Sequence, residues 1–261
     1  LGGVSFASDD PDPARRVRKQ RNLTVVWRKR IAPLPANALP IVGSALYAES
    51  PVTGKPILVE LLDAFAHKTG APTLKAAAGS FLSRYASLLL PGVLTLLTRY
   101  GIALEGHMQN CIPVFEDGIP VRMLVRDWGG VRVHRPRLEA AGLHADFEAT
   151  SITVTDDLTD ARNKAYYTVL QSHLAEIVLQ LARHADVTER ELWAIVTSLA
   201  RETFARLKAD PRLEAAAQED EAALFAETVE TKALTRMRLS EDDGYHYAVV
   251  SNPLIMERGG C

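Results

Sequence analysis

The sequence has few cysteines and a nearly balanced charge. Its 261 residues include two cysteines, Cys111 and Cys261, and the formal net charge at pH 7 is -2. Two cysteines so far apart make no disulfide framework, and this usage fits the reducing cytoplasm. Because the charge balance is slightly acidic, we expect no nucleic-acid partner.

Long apolar runs and a targeting segment are also lacking. No uninterrupted apolar run reaches the roughly 18 residues that cross a bilayer, so we expect no membrane partner. The first residues, LGGVSFASDDPDP, do not show the basic-then-apolar order of a signal peptide. Since the chain begins with leucine rather than methionine, we expect a processed or fragmentary N-terminus.

The residues that are present predict an α+β protein that is mostly helical. Apolar residues recur at helical spacing in residues 57–68, 75–100, 161–183 and 191–207, and residues 212–230 have the acidic, alanine-rich composition of a surface helix. Pro91 is expected to kink or divide the second helix. Two β-leaning runs, residues 111–116 and 121–125, flank an Asp-Gly pair, which is a strong hairpin signal. We therefore expect a small antiparallel β-element packed against long helices.

The N-terminal part of the chain has a different composition. Residues 1–22 are polar and carry a basic cluster typical of a solvated face or arm, formed by Arg15, Arg16, Arg18, Lys19 and Arg21. Residues 22–30 favour a strand or a short helix, and residues 32–40 contain three prolines that break structure. We expect a boundary there, between an N-terminal piece at residues 1–40 and the main domain at residues 41–261.

Polar side chains flank both free ends of the predicted hairpin. Glu105, His107, Gln109 and Asn110 precede the first strand, and Asp127 follows the second. Because the free ends of a hairpin lie together, Asn110 and Asp127 are expected to be neighbours although 17 positions separate them. One end of the hairpin then presents two carboxylates, two amides and an imidazole.

This set of groups suits a magnesium–nucleotide site. Mg²⁺ takes oxygen ligands, usually one or two carboxylates with substrate phosphates in other positions. We predict Glu105 and Asp127 as metal ligands and Gln109 and Asn110 as contacts of the nucleotide or the metal. Arg126 is expected to pair with Asp127 or with phosphate, a structural salt bridge being the alternative.

Protein kinases hold Mg²⁺ with an Asn and an Asp-x-Gly on either side of a hairpin, and here the Asp-x-Gly begins at Asp127. No Asp occupies the catalytic-base position of that class. His107 is expected to contact phosphate or acid oxygens and to stabilise charge at the reacting carboxylate. The alternative for the whole set is an ordinary polar loop beside a hairpin.

Several stretches resemble the IucA/IucC family of NRPS-independent siderophore (NIS) synthetases. They are LPIVGSALYAESPVTGKPILVELL, YGIALEGHMQN, VRMLVRDWGGVRVHR, ARNKAYYTVLQSHLAEIVLQLA and TKALTRMRLSEDDGYHYAVVSNPL. They follow the family's order and cover most of the chain. The resemblance implies the palm domain of such a synthetase, with residues 1–40 as a remnant of the preceding fingers region. Since the family's upstream phosphate-gripping motifs are missing, we expect a C-terminal part of a longer enzyme.

The resemblance also implies an activity. Members of the family use ATP and Mg²⁺ to adenylate a citrate-like carboxylic acid, and then pass the acyl group to an amine or a hydroxyl of a polyamine- or hydroxylamine-type nucleophile. The expected protein is a cytoplasmic acid–amine ligase of siderophore biosynthesis, and homodimers are common in the family.

Basic residues near the later helices are candidates for binding the acid. Arg162, Lys164 and Tyr167 open the helix predicted at residues 161–183, and a basic helix N-terminus can hold an anion. The resemblance implies acid binding by Lys164, Tyr167, Lys232 and Arg238, with His107 and Lys232 as catalytic residues. The alternative for these basic residues is a solvated face.

Two other functions stay open, a kinase-like small-molecule phosphotransferase and a non-catalytic, ligand-binding remnant. Pyrophosphate as a product would distinguish adenylation from phosphoryl transfer, which leaves ADP. The same region is also called FhuF-like, after a ferric-siderophore reductase. An iron–sulfur cluster needs more thiolates than two distant cysteines supply, so we reject reductase chemistry.

Overall fold

The computed structural model describes residues 2–4, 7–22, 24–27, 31–144, 147, 151–239 and 246–255. The chain forms two compact units, Leu1–Ala36 and Asn37–Cys261. In the first unit, β1 (Gly2–Val4) pairs antiparallel with β2 (Val25–Trp27), and α1 (Pro13–Asn22) lies between them in the sequence. The predicted basic cluster lies on α1. That residues 1–40 are a remnant of a fingers region stays a prediction.

The second unit is built mainly of helices. They are α2 (Ile57–Thr69), α3 (Leu74–Tyr100), α4 (Arg135–Ala140), α5 (Leu158–Tyr166), α6 (Ala175–His184), α7 (Glu189–Lys208), α8 (Glu214–Leu224) and α9 (Leu234–Leu239). A π-helical segment, Tyr167–Leu174, joins α5 to α6 without a break. Short 3₁₀ turns occur at Gly43–Ala45 and Pro253–Ile255.

In the described part of the second unit, three small sheets accompany these helices. Their strands are β3 (Ala38–Pro40), β4 (Ile102–Ala103), β5 (Cys111–Glu116), β6 (Ile119–Val125), β7 (Arg132–His134), β8 (Val154–Thr155), β9 (Thr228–Lys232) and β10 (Tyr247–Ser251). The strand orders are β3-β5-β6, β4-β7-β8 and β10-β9, and every pair is antiparallel except β7 with β8. The predicted fold class, α+β with a small sheet packed against long helices, is confirmed.

Helix α3 forms the centre of the core. Its buried side chains include Phe81, Tyr85, Leu90 and Leu94, and it packs against α2, α7 and the hairpin. Pro91 does not divide this helix, since α3 runs unbroken from Leu74 to Tyr100, and the alternative that Pro91 kinks it stays a prediction. A proline within a helix removes one backbone hydrogen bond. Burial of Leu90 before it and of Val93 after it offsets this loss.

By length and composition alone, α3 would also be apolar enough to cross a membrane, which differs from the expectation drawn from uninterrupted runs. More than half of its most apolar stretch, 56%, is buried inside the protein. Core helices of folded domains meet the same criterion, and the position of α3 at the centre of the second unit is that of a core helix.

The hairpin formed by β5 and β6 turns at the predicted position. Asp117 and Gly118 both have positive φ, 50° and 80°, as the turn of a two-residue hairpin requires. A side chain at position 118 would lie 2.7 Å from the backbone nitrogen of Phe65, so the turn sits directly on α2. The Asp-Gly pair thus forms both the turn of the hairpin and its contact with the helical layer, and the strand register shifts by one residue between Val114 and Phe115.

The prediction of one acidic surface helix over residues 212–230 is wrong at its C-terminal end. Helix α8 ends at Leu224, and residues from Thr228 form strand β9, which pairs with β10 over five residue pairs. Pairing with a distant strand outweighs the local alanine-rich pattern, because the β-branched residues Thr228, Val229 and Thr231 suit a strand. One face of α8 is also buried rather than solvated.

Candidate functional site

The two free ends of the hairpin meet as predicted. Cys111 pairs with Val125, and beyond this pair the backbone N–H of Arg126 donates to the carbonyl oxygen of Asn110 at 2.9 Å. The guanidinium of Arg126 donates from Nε to the carbonyl oxygen of Gln109 at 3.1 Å. Asp127 therefore follows directly after a residue that is bonded to Asn110.

Glu105 lies at the centre of the polar cluster. Its Oε1 forms an ion pair with Lys164 Nζ, and its Oε2 lies 4.0 Å from His107 Nε2. The side-chain amide of Asn110 donates to the Glu105 carbonyl oxygen at 3.1 Å. Lys164 is 6% exposed, so this ion pair is shielded from solvent. The structure thus brings together Glu105, His107, Asn110 and Lys164.

Gly130 packs directly against the carboxylate of Glu105. A Cβ atom at position 130 would lie 1.6 Å from Glu105 Oε2, so a larger residue would displace the carboxylate. The Gly-Gly pair after Asp127 therefore does more than permit a turn, because its second glycine leaves the space that Glu105 occupies.

Asp127 adopts a strained backbone conformation beside this cluster. Its φ of 60° lies in the left-handed region, where aspartate is several times more common than most residues but still unusual. Its Oδ1 accepts a hydrogen bond from the Gly129 backbone N–H at 3.1 Å, which holds the turn. The side chain is exposed. Such strain is often found at functional sites, where the surroundings hold it in place.

A second group of residues extends the cluster on its basic side. Lys232, at the end of β9, places its Nζ 5.2 Å from the ring centre of Tyr167. Burial lowers the pKa of Lys232, and the positive charges of Lys164 and Arg132 lower it further, while Glu105 opposes them. Lys164, Tyr167 and Lys232, all predicted to bind the acid, therefore share one region with Glu105.

The predicted helix N-terminus is not where these basic residues lie. The helix begins at Leu158, and the side chain of Asp157 caps it by accepting from the Thr159 backbone N–H at 2.8 Å. The capping aspartate lies outside the apolar pattern. The predicted start of the helix at residue 161 is therefore three residues later than the observed start at Leu158. Lys164 thus lies beyond the first turn of α5 rather than at its N-terminus, and Arg162 binds Asp220 at 2.8 Å.

Two of the predicted residues, Arg238 and Gln109, lie on the protein surface. Arg238 is exposed on α9, and a cavity of about 800 Å³ beside Lys232 is lined by Arg236 and Leu239 rather than by Arg238. Gln109 is exposed and, with His107 and Tyr47, lines a second cavity of about 640 Å³. The predicted roles of Arg238 and Gln109 stay predictions.

Sequence reasoning missed a buried histidine beneath the cluster. The carbonyl oxygen of Gly106 can only accept, so His173 donates to it from Nδ1 at 2.9 Å. Nε2 of the same ring then accepts from the Tyr85 hydroxyl at 2.7 Å. Burial is the main reason that the pKa of His173 is lowered to about 4, with the hydrogen bond to Gly106 opposing this shift and His107 adding to it, so the ring is neutral at pH 7.

Acidification is expected to destabilise the protein through His173. The unfolded histidine takes up a proton below its ordinary pKa of 6.5, whereas the folded one resists protonation down to about 4. The contribution of neutral His173 to the free energy of unfolding is therefore fully present above pH 6.5. It is lost as the pH falls from 6.5 to 4, by about 3 kcal/mol. Denaturant unfolding at several pH values measures this slope. The slope should shrink in a His173→Asn variant, and an unchanged slope would contradict the assignment.

Within the described ranges, which omit residues such as 145–146 and 240–245, no three His, Cys, Asp or Glu side chains gather as a ready-made metal site. Glu105 and Asp127 still fit the one or two carboxylates that Mg²⁺ takes when phosphates supply its other ligands. Glu105 would then exchange part of its contact with Lys164 for the cation.

Residues 80–246 match the family described as "Ferric iron reductase FhuF-like transporter". The chain belongs to this FhuF-like family. It is 30% identical to the D-ornithine–citrate ligase of Staphylococcus aureus (strain NCTC 8325 / PS 47), over 98% of this chain and 41% of that protein. The FhuF-like chain thus spans about two fifths of the length of this relative.

Two solved structures share the fold of this FhuF-like chain. The petrobactin biosynthesis protein AsbB of Bacillus anthracis superposes with a TM-score of 0.69 at 24% identity, over 85% of this chain and 36% of that one. ATP-bound aerobactin synthetase IucA of Klebsiella pneumoniae gives 0.68 at 22% identity, over 84% and 37%. The predicted resemblance to NIS synthetases is confirmed.

Proposed function

We propose that this FhuF-like chain contributes the metal- and acid-binding part of an ATP-dependent acid–amine ligase of siderophore biosynthesis. The observation that carries the proposal is the contact between Glu105 and Lys164. It brings a carboxylate suited to a magnesium–nucleotide complex directly against a lysine suited to a carboxylic acid. The names of the relatives support the same chemistry, since one is a ligase of ornithine and citrate and another was solved with ATP.

The residues have distinct parts in this proposal. Glu105 and Asp127 hold Mg²⁺, which supplies positive charge at the phosphates when bound. Asn110 and Gln109 lie beside the nucleotide, and Arg126 fixes the end of the hairpin through the Gln109 carbonyl.

Lys164, Lys232 and Tyr167 face the acid, and a citrate-like polycarboxylate matches their charge. The carboxylate oxygen of the acid attacks the α-phosphorus of ATP and pyrophosphate leaves. An amine or hydroxyl then attacks the acyl carbon and AMP leaves. His107 and Lys232 stabilise the charge that develops on the acyl oxygen. Because burial and neighbouring cations lower its pKa, Lys232 can also exchange a proton more readily than an exposed lysine.

Product analysis tests this proposal. The protein is incubated with ATP, Mg²⁺, citrate and a diamine, and the nucleotide products are separated by chromatography. We expect AMP and pyrophosphate. ADP and phosphate would instead identify a phosphotransferase, and unchanged ATP with folded protein would favour a ligand-binding remnant. A cytoplasmic location and a homodimer stay predictions of the family resemblance.

A Gly130→Ala substitution is expected to weaken Mg–ATP binding about 10-fold, because the new methyl group displaces the Glu105 carboxylate. The displaced group is the end of a side chain rather than backbone, so we expect the fold to persist, which the melting temperature of the variant checks. Calorimetry measures the affinity. Gly92→Ala in α3 is the matched control, since a methyl group there meets no atom within 4 Å. Equal affinities of the two variants would contradict the role of Gly130.

A further inference from the structure

Gly106, which lies between Glu105 and His107, is held through both of its backbone polar groups by one segment of helix. The backbone N–H of Gly106 donates to Thr168 Oγ1 at 3.1 Å, and its carbonyl oxygen accepts from His173 at 2.9 Å. Thr168 and His173 both belong to the π-helical segment Tyr167–Leu174. Five positions separate them, which is about one turn of a π-helix, so both side chains reach the backbone of the same residue.

The fit around Gly106 leaves no room and no unsatisfied group. A Cβ atom at position 106 would lie 2.7 Å from the Val169 side chain, so the backbone of Gly106 packs directly against the π-helical segment. The Thr168 hydroxyl accepts from Gly106 and donates its own proton to the carbonyl oxygen of Lys164 at 2.8 Å. Buried networks whose members are all satisfied make a structure rigid.

We propose that Thr168 and His173 are positioning residues, which fix Glu105 and His107 for catalysis through the two peptide groups of Gly106. The proposal rests on the function proposed above, because it assigns these residues to the same site. Lys164, one turn before Thr168, binds the Glu105 carboxylate. A single helical segment therefore sets both the backbone and the side chain of the central acidic residue. A π-helical segment, which is rare within helices and frequent at functional sites, is consistent with this role.

Thr168 allows a sharp test, because its hydroxyl can be removed without changing the size of the side chain. Thr168→Val leaves the Gly106 amide without its acceptor, whereas Thr168→Ser keeps the hydroxyl. Thr203 in α7 provides a matched control. It is also buried, donates to the carbonyl oxygen four residues earlier at 2.8 Å and accepts from Arg206 at 3.2 Å, but it lies outside the site.

Two readouts separate positioning from general stability. Calorimetry gives the affinity for Mg–ATP, and NMR gives the chemical shifts of the His107 ring in the free protein. We expect Thr168→Val to weaken Mg–ATP binding about 10-fold and to shift the His107 resonances. Thr168→Ser should restore both to near the wild-type values. Thr203→Val should change neither, even where it lowers the melting temperature as much as Thr168→Val does.

The outcomes distinguish this proposal from the proposed function. Wild-type protein that binds no Mg–ATP would overturn the function, and the His107 resonances would then decide the positioning role alone. Unchanged resonances and affinity in Thr168→Val would overturn the positioning role while leaving the function intact. Equal effects of Thr168→Val and Thr203→Val would also overturn it, since they would reflect lost stability.

Discussion

Replacing Asp220 with asparagine is expected to lower the free energy of unfolding by about 3 to 5 kcal/mol. Asp220 is fully buried and binds Arg137 at 2.6 Å, Arg162 at 2.8 Å and the Thr98 hydroxyl at 2.8 Å. The substitution leaves two largely buried guanidinium groups with Glu219 as their remaining carboxylate, and that side chain is 64% exposed. An exposed carboxylate compensates buried charge weakly.

Denaturant unfolding measures this loss of stability. Asp63→Asn is a suitable control, since Asp63 pairs with Lys55 at 3.4 Å on the surface, where both side chains are about half exposed. Such a pair contributes at most about 1 kcal/mol. Similar losses in the two variants would contradict the view that Asp220 ties α8 to α4 and α5.

Replacing Glu105 with glutamine is expected to reduce acid-dependent pyrophosphate release about 100-fold, because the central negative charge of the proposed metal site is lost. The rate of pyrophosphate release under saturating ATP and citrate measures this effect. The same substitution leaves Lys164 buried without its counter-charge, so part of the loss could come from stability. A second substitution separates these two causes.

The double variant Glu105→Gln with Lys164→Met removes both charges of the ion pair. Replacing a buried ion pair by neutral groups is often neutral for stability, so unfolding should return close to the wild-type value. Activity should stay at the level of the single Glu105→Gln variant or below it. Recovery of activity together with stability would show that the pair is structural only.

The hairpin and the meeting of its ends could be predicted because their signals are local. Asp117 and Gly118 are adjacent and have the backbone preferences that the turn needs, and strand pairing then brings Arg126 to Asn110. The long helices were predicted for the same reason, since their apolar spacing repeats every few residues.

The contacts that complete the site could not be read from the sequence. Lys164 and Glu105 are 59 positions apart, and no local pattern states which helix packs on the loop that carries Glu105. The π-helical segment could not be predicted because its apolar residues still follow the spacing of an ordinary α-helix. The burial of Asp220 could not be predicted either, since it lies in an acidic, alanine-rich stretch and composition alone does not reveal which face of a helix is buried.

Titration of the wild-type protein with ATP, in the presence and absence of Mg²⁺, tests the proposed site most directly. Calorimetry should show ATP binding that depends on Mg²⁺ and that weakens in both Glu105→Gln and Asp127→Asn, while Asp63→Asn binds like the wild type. Folded protein that binds no ATP with Mg²⁺, or that binds it equally well without the metal, would contradict the assignment of Glu105 and Asp127.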